Sequence, residues 1–532
     1  MSALAMRRFS ALRWTVPTLA TLSIVGASLY AQAPFPPPRV PAKAAASGAE
    51  LRAQLEAHVG EARFDGALWG VKIISLDTGR TLFEHHANRL LSPASNSKLY
   101  TGALALDRLG GDYRIVTPIF GAAKPDADGT IAGDVVVSGR GDPSWKAAPR
   151  GGDFWRTFEP FVAALRQAGV RHIAGDVVAD ATYFHGPPNG AGWTVDDFND
   201  DYGAEISAIT LEENYADLRV TPATVAGRAC GFELLHPHTG LVIHNRTVTI
   251  AKGGSRYIEA RRNPGENVVY VFGELPIDGA DEILDLTVPR PAGWFAAALT
   301  AALVRGGIRV DGQPRSVRWP DASPVSDRVV KLGEITSPPL REIVRAFMKP
   351  SQNLETDLIF AHVGEGLRTA ETPLWRTSEQ LGVAALREFL QKRALPADEV
   401  RFEEGSGLSR NNLTTANATV RLLQVMTAHP EADAFFQSLP IAGVDGTIRR
   451  RMKGTAAEGN VHAKTGTLRW ANSLSGYVTS AAGERLAFSL MLNRNIVPSG
   501  RFARDDLDSI AVMLARCTGR SDTIEVSRTG LK

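Results

Sequence analysis

Cysteine is scarce: Cys230 and Cys517 are the only two among 532 residues. No C-x-x-C or H-E-x-x-H run occurs, so a disulfide framework and a cysteine-based metal site are excluded. The two are expected as separate buried thiols, with one disulfide in an oxidising compartment as the alternative. An excess of one charge is also missing. The 59 basic and 57 acidic residues leave a formal net charge of +2, and without a long basic run nucleic acid is excluded as a partner. Hydrophobic residues make up 44% and charged residues 22%, the balance of a globular chain rather than a disordered one. At this length one compact core does not suffice, so several domains are expected.

Long apolar runs are missing except near the N-terminus. Arg7, Arg8 and Arg13 precede the apolar stretch from Trp14 to Tyr30, and Ala31-Gln32-Ala33 has the small-x-small form of a signal-peptidase site. Residues 1–33 are therefore expected to be a signal peptide. Pro34 directly after that site leaves a cut elsewhere, or a retained anchor, as the alternative. The stretch is short against the about 20 residues of a helical span, so at most peripheral membrane association is expected. Residues 34–47 read as a Pro- and Ala-rich linker without a core of its own.

A helix is expected at about 49–60, then a hairpin formed by LWGVKIISL and TLFEHH around Asp77-Thr78-Gly79-Arg80. Leu91 to Gly110 is the stretch the rest is organised around. Ser92 is a suitable N-cap, Pro93 fits the first helical position and Gly110-Gly111 is a stop. Leu99, Ala103 and Leu106 form an apolar face. Ser95 and Lys98 lie three apart, which puts a hydroxyl and an amine on one side of the helix. From about 116 to 320 the chain turns strand-rich, and Ile-Ala-Gly-Asp-Val-Val occurs at 131–136 and again at 173–178. The helical pattern returns at 339–365, broken by Pro350, so Ser351-Gln352-Asn353 falls on a helix–loop–helix junction. Strands at 460–468, 475–480 and 485–492, joined through a turn region, precede a closing helix from Asp505 to Arg516. Similar elements at both ends enclose a β-rich middle, so the two ends are expected to form one discontinuous domain.

Three short patterns stand out: S-x-x-K at Ser95/Lys98, S-x-N at Ser351/Asn353 and K-T-G at Lys464/Thr465/Gly466. Each alone is weak. In this order, on a helix start, a loop and a strand, they match the penicillin-recognising serine set. The runs PASNSKL, SGRGDPSW, DYGAEISA, EGSGLSRNN, LPIAGVDGTIRRR and HAKTGTL resemble the D-alanyl-D-alanine carboxypeptidase/endopeptidase family of class C low-molecular-mass penicillin-binding proteins (peptidase family S13). The resemblance covers nearly all of the chain after the linker. Two positions depart from it: Glu404 replaces the usual Asp before G-S-G-L, and Trp145 replaces the usual Leu after G-D-P.

The resemblance implies an α+β (α/β) fold of the serine β-lactamase/transpeptidase type, an antiparallel sheet with helices on its faces. That discontinuous domain would span 48–116 and 320–520 and carry two inserted β-rich domains, one at 117–194 and 287–319 and a nested one at 195–286. It also implies an exported serine DD-peptidase acting on peptidoglycan stem peptides, acylated by β-lactam antibiotics, with no metal or organic cofactor.

The chemistry follows from the residue types. A serine hydroxyl needs an adjacent base. Lys98 can serve if burial and a second cation, for which Lys464 is the candidate, lower its basicity. By analogy with the family, the backbone N–H groups of Ser95 and Thr467 would form the oxyanion hole. Ser351 is placed to relay a proton to the leaving amine, and Asn353 to hold Lys98 and the substrate amide together. Lys464, Thr465, Gly466 and Thr467 offer a terminal carboxylate cationic and hydroxyl partners along a strand edge that can pair with an extended peptide. Family members grip a diaminopimelate side chain with an acid five residues before an aromatic. The matching residues are Asp197 and Tyr202, with Arg410 opposite. The competing reading makes Asp197 a solvated loop acid and pairs Arg410 with Glu403 or Glu404. A serine β-lactamase or esterase on the same core and a non-hydrolytic peptidoglycan-binding protein are the alternative functions.

Overall fold

The computed structural model describes residues 38–148, 152–496 and 502–523. The expected signal peptide and the first residues of the linker lie outside the described residues. From Arg39 onward the linker does not run free. The Arg39 N–H donates to Ser509 Oγ, Arg516 donates to the Pro41 carbonyl, and Ala45 is buried against the closing helix. Its small apolar alanines let the backbone dock this closely. Among the described residues no helix is long and apolar enough to cross a membrane.

Both ends of the chain build one five-stranded antiparallel sheet. Its order runs from the edge strand His462–Leu468 through Ala471–Thr479, Arg485–Asn493 and Leu68–Ser75 to Thr81–His85. The seam between the ends is the pairing of Leu68–Ser75 with Arg485–Asn493, with Val71 opposite Leu490 and Ile73 opposite Phe488. The expected helices at the two ends are observed as Gly48–Val59 and Ala503–Arg516. They pack their apolar residues, Leu51, Leu55, Leu507 and Ile510 among them, against Val71, Phe488 and Leu490 on one face. The other apolar cluster joins the Ser97–Leu109 helix to Phe347, Ile359 and Leu422 of later helices.

Between the ends stands a second five-stranded sheet, ordered Pro314–Arg318, Val177–Ala181, Val135–Ser138, Val116–Gly121, Val330–Thr336. Helices Glu159–Gln167 and Pro291–Arg305 supply Phe161, Phe295 and Leu299 to its core. The strand Val330–Thr336 pairs with Val116–Gly121, which carries this sheet past the expected return at 320. The two Ile-Ala-Gly-Asp-Val-Val copies pair with each other in parallel, Ile131 beside Ile173 and Val135 beside Val177. Two smaller three-stranded sheets follow between Tyr215 and Thr287, sharing a core of Leu218, Val220, Val271 and Leu286. Cys230 lies buried there and Cys517 is buried after the closing helix, both as free thiols.

The repeat explains its own glycine. A methyl group on Gly175 would sit 2.4 Å from the Gly133 carbonyl carbon and 2.6 Å from Asp134 N. Overpacking of this kind against backbone costs about 1–3 kcal/mol. Gly175→Ala is expected to lower the thermal unfolding midpoint, whereas Gly66→Ala, which meets nothing within 4 Å, is expected to leave it in place.

Candidate active site

The nucleophile candidate sits on a short turn held from three sides. Ser95 lies in the 3-10 turn Ala94–Asn96, which runs directly into the helix Ser97–Leu109. The expected cap at Ser92 is not formed, because the helix begins later and Asn96 provides no side-chain cap. Ser92 is clamped to the sheet instead: its N–H donates to Asn493 Oδ1 at 2.8 Å, and Asn493 Nδ2 donates to its carbonyl at 3.1 Å. Ser473 Oγ donates to the Pro93 carbonyl at 2.6 Å, and Asn96 Nδ2 donates to Ser475 Oγ at 2.6 Å. The run Asn472-Ser473 reads as turn-like in the sequence. It belongs to the strand Ala471–Thr479, and its buried serine serves the nucleophile turn. Gly110 stops the helix as expected, at φ 79°.

Two glycines allow the close approach. A Cβ on Gly466 would stand 2.3 Å from the Pro93 carbonyl oxygen and 3.0 Å from Ser95 N, so only a glycine lets the K-T-G strand lie against the turn. Gly407, at φ +86°, brings the E-G-S-G-L loop against Ala94, where a Cβ would meet the carbonyl oxygen at 2.0 Å.

Lys98 is fully buried. Its ammonium nitrogen donates to Ser95 Oγ at 3.0 Å, to Asn353 Oδ1 at 2.6 Å and to the Ser406 carbonyl at 2.7 Å. Burial lowers its pKa to about 8, against the opposing pull of Asp357 and Glu404. Lys464, also fully buried, donates to Ser351 Oγ at 2.7 Å and to the Thr465 carbonyl at 2.9 Å. Burial first, and the Lys98 charge second, hold Lys464 well below the usual lysine range. The expectation that Lys464 is what keeps Lys98 neutral is thus revised. Desolvation of Lys98 is the largest cause of its lowered pKa.

The junction at Pro350 is formed as expected, between helices Leu340–Met348 and Asn353–Glu365. Ser351 occupies the left-handed region at φ 72°, a strained placement for a side chain that a functional site can retain. Asn353 donates through Nδ2 to the Tyr202 carbonyl at 3.0 Å, so part of the amide expected to face substrate already bridges Lys98 to the insert. Thr465 Oγ1 donates to Thr447 Oγ1 at 2.8 Å, and Thr467 is exposed on the edge strand.

Arg410 forms a two-pronged pair with Asp197, Nη1 to Oδ2 at 2.8 Å and Nη2 to Oδ1 at 3.1 Å. Asp197 is buried and also accepts from the N–H and Oγ1 of Thr194. The solvated-acid reading and the pairing of Arg410 with Glu403 or Glu404 are both replaced by this contact. The Tyr202 hydroxyl donates to Asp200 Oδ2 at 2.6 Å.

Several neighbours carry no motif of their own. Glu213 lies in a turn where Glu212, Glu213 and Asn214 all have positive φ, 50°, 54° and 59°. Its carboxylate accepts from Gln352, the middle residue of S-x-N, and from Lys146, which also pairs with Glu355. Asp357 and Glu404 stand behind Lys98. Asp357 was readable only as a fourth residue after Asn353 on one helix face, a spacing too common to single out.

The D-Ala-D-Ala carboxypeptidase 3 (S13) family model matches residues 51–516. A D-alanyl-D-alanine carboxypeptidase of Actinomadura sp. (strain R39) is 34% identical over 525 residues, covering 95% of this chain and 90% of the relative. The D-alanyl-D-alanine carboxypeptidase DacB of Haemophilus influenzae is 25% identical over 451 residues, 81% of this chain and 86% of the relative. The crystal structure of penicillin binding protein 4 from Haemophilus influenzae superposes with a TM-score of 0.72 at 23% identity, covering 85% of this chain and 97% of that one. The same protein complexed with a β-lactam superposes with a TM-score of 0.66 at 22% identity, covering 84% and 95%. With the α+β architecture and the three assembled motifs, this extent of match means that the chain belongs to the D-Ala-D-Ala carboxypeptidase 3 (S13) family.

Proposed function

We propose that the protein is an exported serine DD-peptidase that cleaves peptidoglycan stem peptides and cross-links through an acyl-enzyme on Ser95. The observation that carries this reading is the convergence of two serine–lysine pairs. Ser95–Lys98 and Ser351–Lys464 come from distant parts of the chain, and both amines are buried, which lowers their pKa. Export is supported by the basic-then-apolar N-terminus.

In the acylation step neutral Lys98 takes the Ser95 proton as the oxygen attacks the carbonyl between two D-centres. The N–H groups of Ser95 and Thr467 receive the developing oxyanion. The proton that Lys98 has taken passes through the Ser351 hydroxyl, which Lys464 holds, to the leaving amine, D-Ala or a cross-linking peptide, and water then releases the acyl group. Thr465, Gly466 and Thr467 present an open strand edge to the extended peptide. The Asp197–Arg410 pair is the receptor for a diamino-acid terminus, its carboxylate taking the ammonium and its guanidinium the carboxylate. Tyr202 flanks that site and ties it to Asn353 through its carbonyl. A β-lactam follows the same first step, but its leaving amine stays tethered to the acyl group through the opened ring and does not make way for water, which accords with the β-lactam complex of the Haemophilus relative. The long insert, which reaches Asn353 and Gln352, favours a peptidase over a compact β-lactamase.

Three outcomes are expected. Purified protein is labelled by a fluorescent penicillin and releases D-Ala or monomers from peptidoglycan by mass spectrometry. Ser95→Ala abolishes both, and equal labelling of the variant would sink the nucleophile assignment. The second-order rate of β-lactam acylation rises about tenfold per pH unit below pH 8 and levels above it, because only neutral Lys98 accepts the proton; a flat profile from pH 6 to 9 contradicts its role as base. Arg410→Ala raises KM for a peptide ending in a free diamino-acid side chain by about tenfold or more, with little change for a peptide lacking that group. Equal losses on both substrates would make the pair structural.

A further inference from the structure

Two buried carboxyl groups stand behind Lys98, and the proton transfers above use neither. Asp357 follows Asn353 by one turn of the same helix, and Glu404 opens the E-G-S-G-L loop. Their exposures are 3% and 0%. They meet at one backbone N–H. The Ser406 N–H is 2.9 Å from Asp357 Oδ1 and 2.8 Å from Glu404 Oε2, while the Ser406 carbonyl accepts from Lys98 at 2.7 Å. One N–H shared by two acceptors brings those oxygens within roughly 4 Å of each other. Two ionised carboxylates do not persist that close in a dry interior, so one of them keeps a proton.

Hydrogen bonding identifies which one. Glu404 accepts from five donors: the Ser406 N–H and hydroxyl, the Gly407 and Ser409 N–H groups, and Asn412 Nδ2. Asp357 accepts only from the Gly405 and Ser406 N–H groups through Oδ1, and its Oδ2 meets no donor among the described residues. Burial, with Glu404 next, holds the Asp357 carboxyl well above the usual carboxylate range. The other charged groups facing the cluster are Lys98 from the nucleophile helix, Glu379 from the helix Ser378–Lys392 and Lys464 beyond Lys98.

We propose that Glu404 is a positioning residue for the reaction, a fixed anion that stabilises the Lys98 ammonium formed when Ser95 gives up its proton, and that Asp357 is its neutral, protonated partner. The proton moves from Ser95 Oγ to Lys98 Nζ and on to the leaving amine; neither carboxyl gains or loses one. The five donors hold the Glu404 charge while Lys98 is neutral, and the Ser406–Gly407 peptide, whose N–H donates to Glu404 Oε1 at 2.7 Å and whose carbonyl accepts from Lys98, links it to the amine when Lys98 becomes charged. Asp357 keeps the local charge at one negative unit, so Lys98 is not forced to remain an ammonium at working pH.

This inference rests on the serine–lysine reading. Its test is the pH dependence of β-lactam acylation in the full chain for wild type, Asp357→Asn, Glu404→Asp and Glu404→Gln, with an infrared measurement of the protonated-carboxyl band. Asp357→Asn, whose amide replaces the acid O–H, is expected to keep the wild-type acid limb and to give, in the wild-type-minus-variant infrared difference at neutral pH, one lost protonated-carboxyl band. Glu404→Asp keeps the acid limb. Glu404→Gln moves it down by about one pH unit, because loss of the anion weakens the base. A downward shift in Asp357→Asn, no shift in Glu404→Gln, or no protonated-carboxyl band in the wild-type-minus-Asp357→Asn difference overturns the proposal. If Glu404→Gln does not fold, the band and its loss in Asp357→Asn still decide which acid carries the proton. Absence of any acylation of wild type, or acylation of Ser95→Ala, would instead sink the serine–lysine reading and leave the infrared result standing.

Discussion

The structure depends on the burial of one amine. Lys98 has been taken out of water beside Ser95, and an ammonium is costly there unless acceptors surround it. Three do: the serine hydroxyl, an amide oxygen from the S-x-N helix and a backbone carbonyl from the E-G-S-G-L loop. The first comes from the same turn and the other two from remote segments, so the amine cannot be satisfied until both have packed. Desolvation lowers its proton affinity, and the same acceptors keep it aimed. Burial of the amine and closure of the two chain ends on each other rest on the same contacts.

The sheet supplies the rigid side of that site. Its inner strands are apolar where they face the terminal helices, yet carry Ser473, Ser475 and Asn493 where they meet the nucleophile turn. These side chains take up backbone and amide groups that would otherwise be buried without partners. Gly466 and Gly407 bring the backbone to a distance that a Cβ would forbid. The other side of the site belongs in part to the inserts. Tyr202 reaches Asn353 through its carbonyl, and Glu213, set by a left-handed turn, reaches Gln352. The insert therefore braces the S-x-N junction as well as extending the molecule.

Such bracing explains where reading the chain in order fell short. The Asn472-Ser473 pair falls in the turn region expected between the strands at 460–468 and 475–480. It is part of a strand whose polarity serves a distant turn. Ser92 has the chemistry of a helix cap, but the sheet residue Asn493 captures its backbone first. The linker reads as coreless because the partners of Arg39 and Pro41, Ser509 and Arg516, lie at the other end of the chain.

What the sequence determined by itself was the local and the ordered: the terminal helices, the first hairpin, the break at Pro350, and three motifs in a telling succession. These depend on propensity, periodicity and residue chemistry within a few positions. The tertiary structure decided the rest. Which acceptors hold Lys98, why burial more than Lys464 weakens its basicity, that Arg410 meets Asp197, and that Asp357 and Glu404 share one N–H all arise from segments brought together across the insert. Desolvation and charge coupling act through space at a few ångströms, and sequence separation carries no measure of that distance.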